Sequence, residues 1–367
     1  MEKYKDMSLR KKSNVKMIRN LVLFILLIIF TFWFVFKDQD LNEFVNALKA
    51  ADIKFVLLGA LVMFGVYMME TINVRAVLIS LGEKKFSIIR AFKYTTIGAF
   101  FSAITPAATG GQPVEIYYMS KDGIKTSNGT MAMLMQLCGF QISSLFLAIL
   151  CGVLNPGLLS DGIIWFYLLG LLINGIALAV MLLATFSNKA TMVIYNLLVR
   201  IMERMKVKYI DAKKEKLQAA LDQYAESSKY IKGHKLEFIK AVGRVFIQMI
   251  MYHSIPFFIY KAFGLNDLDF WTFFSMQAVL YTTVSGIPLP GAIGVSETLF
   301  LKIYGVAFGT TLLSGAMILY RFVSFYLYIV IFAIVVVINA IRSKNIVGAI
   351  DKDVKEIESD VSIVEFA

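Results

Sequence analysis

Histidine and cysteine are almost missing from this chain of 367 residues, which has two of each. They are scattered, so no metal-ligand spacing can be built from them. Cys138 and Cys151 fall in one expected helix. At about 1.5 Å of rise per residue their Cα atoms stand roughly 20 Å apart, which rules out a disulfide between them. No Ser/His/Asp or Cys/His arrangement with plausible proximity is present, so no catalytic residue is assigned. A phosphate-binding loop is missing as well. Gly123-Ile124-Lys125-Thr126 lacks the upstream glycine of that motif and follows no strand. Asn128-Gly129-Thr130 fits a glycosylation acceptor, but it lies on a segment expected on the cytoplasmic side. No cofactor and no metal are expected.

What the chain does have is apolar surface. It is 58% hydrophobic, with 30 Phe and 17 Tyr, and its mean hydropathy is +0.69. A soluble domain of this length sits far lower, so the class is an all-α polytopic membrane protein. The net charge of +11 does not indicate nucleic acid. The Lys and Arg residues lie between apolar runs rather than on one face, the pattern that orients membrane proteins.

Residues 1–19 carry seven Lys/Arg against two acids and precede an apolar run from Leu21 to Phe36. This reads as an uncleaved first span with a cytoplasmic N-terminus. Leu41, Phe44, Val45 and Leu48 space a short interfacial helix. Further spans are expected over Phe55–Leu78, Met131–Leu154, Ile163–Phe186, Ala241–Phe263 and Thr311–Ile341. Glu70, Asn73 and Arg75 are expected at the wet inner end of the second span. Ile194, Leu197, Leu198, Ile201 and Met205 form one face of an amphipathic cytoplasmic helix, opposite Arg200, Arg204 and Lys208. His253 is read either as a functional group or as a neutral ring bonded to a neighbouring carbonyl. The acidic tail 351–367 is expected to fray. The domain division is then 1–19 basic N-terminus, 20–345 one transmembrane domain with a cytoplasmic insert at 187–237, and 346–367 tail.

Two apolar stretches do not read as plain spans. Tyr94–Tyr118 is broken by Pro106, Gly110, Gly111 and Pro113, and Tyr281–Glu297 by Pro288, Pro290, Gly291 and Gly294. Both open on Tyr-Thr-Thr, and in both a Pro precedes a Glu by nine residues (Pro106 and Glu115, Pro288 and Glu297). Non-helical backbone at membrane depth must be buried in protein or line a cavity. Were the first stretch to cross fully, Ser187–Glu237, with eleven Lys/Arg against six acids, would face outward. That violates the positive-inside bias, so the stretch must re-enter. The second stretch, Trp271–Leu301, must then enter from the other side. The expectation is six full spans plus two oppositely oriented re-entrant helical hairpins, eight hydrophobic segments in the arrangement of an inverted repeat. Interrupted segments in corresponding halves point to a transporter's central site.

Hairpin tips present backbone N–H groups and positive helix ends that can seat a phosphate or carboxylate. Thr109, Gly110, Gly111 and Gln112 are the candidates on one side, with Ser285, Gly286, Pro290, Gly291 and Gly294 on the other. Arg321 lies inside the last apolar segment, where an unpaired Arg costs about 2.5–3.5 kcal/mol. Glu115 and Glu297, one from each hairpin, are its two candidate partners. The pair could be structural, or the Arg could meet an anionic headgroup.

Thr105–Met119 (TPAATGGQPVEIYYM) and Pro288–Glu297 (PLPGAIGVSE), with Arg321, resemble the lysylphosphatidylglycerol synthase transmembrane-region family. This is the flippase-like membrane domain of the bacterial multiple-peptide-resistance factor, and the likeness spans about 15–341. The resemblance implies a bacterial inner-membrane protein with both termini cytoplasmic. It would move phospholipid such as lysyl-phosphatidylglycerol between leaflets and so contribute to resistance against cationic peptides. It also implies a soluble aminoacyl-transferase domain in full-length members, which this sequence does not contain, so transfer chemistry is not expected of it. The alternatives are a subunit or scaffold of a lysyltransferase system, or a transporter of a small anion. Expected partners are membrane phospholipid, a second copy or a lipid-modifying enzyme, and no nucleic acid.

Overall fold

The computed structural model describes residues 41–83, 86–105, 108, 110–159, 162–186, 188–204, 214–215, 218–219, 222, 229–230, 232–285 and 295–339. The expected first span at Leu21–Phe36 and the acidic tail lie outside the described residues. The chain divides into two compact units, Met1–Asn46 and Ala47–Ala367. Of the first, only the opening turns of α1 (Leu41–Ala50) are described.

Among the described residues the structure is helical throughout, with no strand. The long helices are α2 (Ile53–Ser80), α5 (Thr126–Leu154), α6 (Ile163–Phe186), α8 (Lys235–Ala262) and the run that begins with α10 (Val295–Arg321). Each contains a stretch long and apolar enough to cross a membrane, five such helices among the described residues. They match five of the six expected spans. The α7 helix (Asn188–Arg204) stands where the amphipathic helix is expected.

Two shorter helix pairs complete the bundle. The first is α3 (Ile88–Ile104) and α4 (Gly111–Lys121), packed on each other. The second is α9 (Phe270–Ser285) and the opening arm of α10. That arm ends at Gly309, whose φ of 61° and ψ of 176° break the helix. Only glycine takes such backbone without strain. The 11 residues of α4 reach roughly 17 Å, and the 16 of α9 roughly 24 Å, both short of a hydrocarbon core of about 30 Å.

Capping fixes where helices begin. The Asp52 side chain accepts from the Lys54 N–H at 2.9 Å, and the Ser87 hydroxyl accepts from the Arg90 N–H at 3.2 Å. The broadest interface is α2 against α8, with α5 packed on both. Close approach is set by small residues: a Cβ on Gly170 of α6 would overlap the Thr282 carbonyl oxygen of α9. Leu57, Leu61, Trp165, Leu172 and Val306 turn outward and exposed, which suits a lipid-facing surface.

The two cysteines sit buried and free on α5, as their spacing requires.

Candidate functional site

The first helix pair is knotted at its base. Asp122, just past α4, pairs with Lys93, its carbonyl accepts from Arg90, and Tyr94 donates to its Oδ2 at 2.6 Å. Arg90 Nε also donates to the Tyr94 hydroxyl at 3.1 Å. Burial alone would push the Asp122 carboxyl up, but Lys93, Tyr94 and Arg90 outweigh it and hold it below the usual carboxylate range.

At the other end of the pair, Thr105 organises the turn. Its hydroxyl donates to the Phe101 carbonyl at 2.7 Å and accepts from the Gly110 N–H at 2.9 Å. The Gly110 amide is therefore satisfied internally instead of standing open to a ligand. Ala108 takes φ 54°, a left-handed geometry that costs a non-glycine residue roughly 1–2 kcal/mol. Gly111 is buried, and a Cβ there would overlap Ser102. Thr109 lies outside the described residues.

One turn into α4, Glu115 is 3% exposed. Its side chain fills the notch left by Gly98 of α3, where any Cβ would overlap the carboxyl. Its Oε2 has no hydrogen-bond partner among the described residues. The Glu70 carboxylate of α2 lies within electrostatic range of it.

Glu70 ends a chain of polar side chains that crosses the bundle. Arg244 Nε donates to Asn73 Oδ1 at 2.9 Å. Asn73 Nδ2 donates to Gln136 Oε1 at 2.5 Å. Gln136 Nε2 donates to Gln248 Oε1 at 3.0 Å, and Gln248 Nε2 to Glu70 Oε2 at 3.2 Å. Asn73 is fully buried. The expectation that it sits at a wet helix end is therefore wrong, because three helices close over it. Antiparallel packing explains the order: Tyr67, Glu70 and Asn73 climb α2 while Tyr252, Gln248 and Arg244 descend α8.

The second helix pair carries an ion pair. Arg321 Nε stands 2.9 Å from Glu297 Oε1, with side chains 10% and 13% exposed. Of the two candidate partners, the fold brings Glu297 to Arg321 and sends Glu115 to Glu70. The Phe325 and Tyr326 rings flank the guanidinium with centroids at 4.8 and 5.6 Å. Directly after Arg321 comes a π-helical turn, Phe322–Tyr326, an insertion frequent at functional sites. Beside it, Gln277 donates to the Tyr320 hydroxyl at 2.7 Å and accepts from Tyr304 at 3.0 Å, all buried.

Ser285, at the end of α9, accepts from Asn174 Nδ2 at 2.8 Å, and Gln141 donates to Asn174 Oδ1 at 2.8 Å. Gly286, Pro290, Gly291 and Gly294 lie outside the described residues, as does any meeting of the two tips. His253 is buried, with Nδ1 2.6 Å from the Met249 carbonyl. A carbonyl only accepts, so Nδ1 carries the proton and the ring is a bonded core residue. No group of three or more His, Cys, Asp or Glu that could hold a metal occurs among the described residues.

The family model described as lysylphosphatidylglycerol synthase TM region matches residues 21–331. The chain belongs to this family. It is a multi-pass membrane protein of lipid metabolism. No curated protein matches it. Glu70, Glu115, Glu297 and Arg321 all fall within the span that the lysylphosphatidylglycerol synthase model covers. Sequence reasoning missed the Asn73–Gln136–Gln248 chain. Its signal was Arg244, Gln248 and Tyr252, four residues apart on an otherwise apolar helix.

Proposed function

We propose that the chain is a lipid translocase of a bacterial inner membrane, with both termini cytoplasmic. It moves phospholipid such as lysyl-phosphatidylglycerol to the outer leaflet and so protects against cationic peptides. The observation that carries this is the buried Arg321–Glu297 pair, which joins the arm of one helix pair to a π-turn within an apolar segment. A cation at that depth is expensive and is normally kept for function. In this reading the two helix pairs re-enter from opposite leaflets. Arg321 meets the lipid phosphate when Glu297 yields, and Gln112 and Ser285 line the headgroup path with the glycines of the tips. The acyl chains stay in lipid or in the apolar groove of about 430 Å³ lined by Leu57, Phe64, Phe92, Tyr328 and Phe332.

Moving a lipid of net charge +1 outward against an inside-negative potential opposes about 2.3 kcal/mol per 100 mV. Continuous supply from within, or an ion gradient, must offset it. The test is headgroup exposure in vesicles containing the purified chain. Transbilayer movement faster than in empty vesicles, lost in Arg321→Ala, supports the reading. No acceleration for phosphatidylglycerol, its lysyl ester or other phospholipids overturns it, and uptake of a small soluble anion instead would favour a solute transporter.

A further inference from the structure

Glu70 of α2 and Glu115 of the first helix pair lie within electrostatic range of one another, yet among the described residues no ion pair reaches either. Among the described residues the basic groups bond elsewhere: Lys93 and Arg90 to Asp122, Arg321 to Glu297, Arg75 Nε to the Phe86 carbonyl, and Arg244 Nε to Asn73, with Arg244 Nη2 left without a partner at the far end of the amide chain. Among the described residues the groups around the pair are neutral and polar. They are Tyr67 of α2, Gln248 and Tyr252 of α8, Gln136 of α5, and the bare Gly98 backbone of α3. One Glu70 oxygen accepts from Gln248, while Glu115 Oε2 is buried with no donor among the described residues. Two ionised carboxylates cannot share such a place without a cation, because burial and mutual repulsion both oppose it. A positive charge must offset one of them, and the described residues supply none.

We infer that the Glu70–Glu115 pair is a proton-binding site that couples lipid movement to proton movement. The coupling half of this rests on the translocase reading; the proton-binding half does not. The pair suits a proton better than a metal ion because, among the described residues, no third acidic, His or Cys ligand joins the two carboxyls and the Gln248 amide. The Gln248, Gln136, Asn73 and Arg244 side chains form a polar path leading away from it through the bundle. Gly98 is what lets the Glu115 carboxyl reach the site at all. Loading one proton leaves the two carboxyls with a single negative charge; unloading leaves two buried charges that favour a rearranged state.

The test uses the full chain in lipid nanodiscs. Infrared difference spectra between neutral and alkaline pH should show a protonated carboxyl band. The band should be reduced in both Glu70→Gln and Glu115→Gln and unchanged when sodium is replaced by choline. Absence of the band, persistence in both variants, or dependence on sodium overturns the proton site. In vesicles of phosphatidylglycerol and its lysyl ester, a one-unit pH gradient should shift the steady-state leaflet distribution by about tenfold for one proton per lipid. Opposite gradients should shift it in opposite directions, and Glu115→Gln should abolish the effect. A distribution indifferent to the gradient in a wild-type chain that does translocate overturns the coupling. If the wild type moves no lipid, the translocase reading falls, while the infrared result still decides the proton site. Should the Gln variants misfold, the wild-type band and its sodium independence carry the test.

Discussion

The two helix pairs each bring one glutamate into the bundle, and the two glutamates meet opposite fates. Glu297 finds Arg321 at 2.9 Å and becomes half of a closed ion pair. Glu115 finds a glycine notch, a second carboxylate and no cation among the described residues. The difference lies in what faces each arm. The second pair packs against the last apolar segment, which carries an Arg; the first packs against α2 and α5, which offer Glu70 and a run of amides. One side of the bundle is balanced by its own charges; on the other, no described cation pairs with the carboxylates.

Breaking the balanced side should have the largest effect. Arg321→Ala strands a buried Glu297 and should lower stability by about 3–5 kcal/mol. Arg321→Met with Glu297→Leu should recover most of that loss in a thermal unfolding measurement, while lipid movement stays lost. By contrast Glu115→Gln, which removes a carboxylate that has no cation, should leave the midpoint nearly unchanged.

Next in size is Gln136→Leu. It strands Asn73 Nδ2 and Gln248 Oε1, at about 1–3 kcal/mol for each group. Denaturation of the detergent-solubilised chain would read it, and an unchanged midpoint would mean that the amide chain contributes little.

Gly98→Ala sharpens the unbalanced side. The added methyl overlaps the Glu115 carboxyl and should cost about 1–3 kcal/mol by overpacking. The second change Glu115→Ala should relieve it, and a failure of rescue would separate the notch from the carboxylate.

The smallest effect belongs to the basal knot. Asp122 is held below the usual carboxylate range, so its contribution is fully present above about pH 4 and is lost as pH falls through its lowered value. Asp122→Asn should cost about 1 kcal/mol near neutrality, and its deficit against wild type should shrink in acid.

Much of the architecture was legible in the chain. Apolar runs located five long helices, although three begin well before the expected residue (Thr126 for Met131, Lys235 for Ala241, Val295 for Thr311), because length and hydropathy decide that a span exists and not where its helix starts. Pro106 and Gly110 marked the break between α3 and α4, and Gly294 directly precedes the start of α10, since backbone breaks leave a sequence trace. The pairing of Arg321 was narrowed to two glutamates and no further. Choosing between them needs the register of distant helices, which spacing along one helix does not carry. The same limit hid the Asn73–Gln136–Gln248 chain, whose members lie on α2, α5 and α8. Gly110 was read as an open amide, but a local hydroxyl five residues back takes its hydrogen bond. The tip residues Thr109, Pro290, Gly291 and Gly294 remain proposals for the headgroup path.

The most direct measurement is headgroup exposure in vesicles that hold wild type, Arg321→Ala, or the Arg321→Met with Glu297→Leu double variant. The account predicts rapid transbilayer movement for the wild type alone, even though the double variant is folded. Equal movement by that double variant would reduce the ion pair to a structural tie and contradict the central claim.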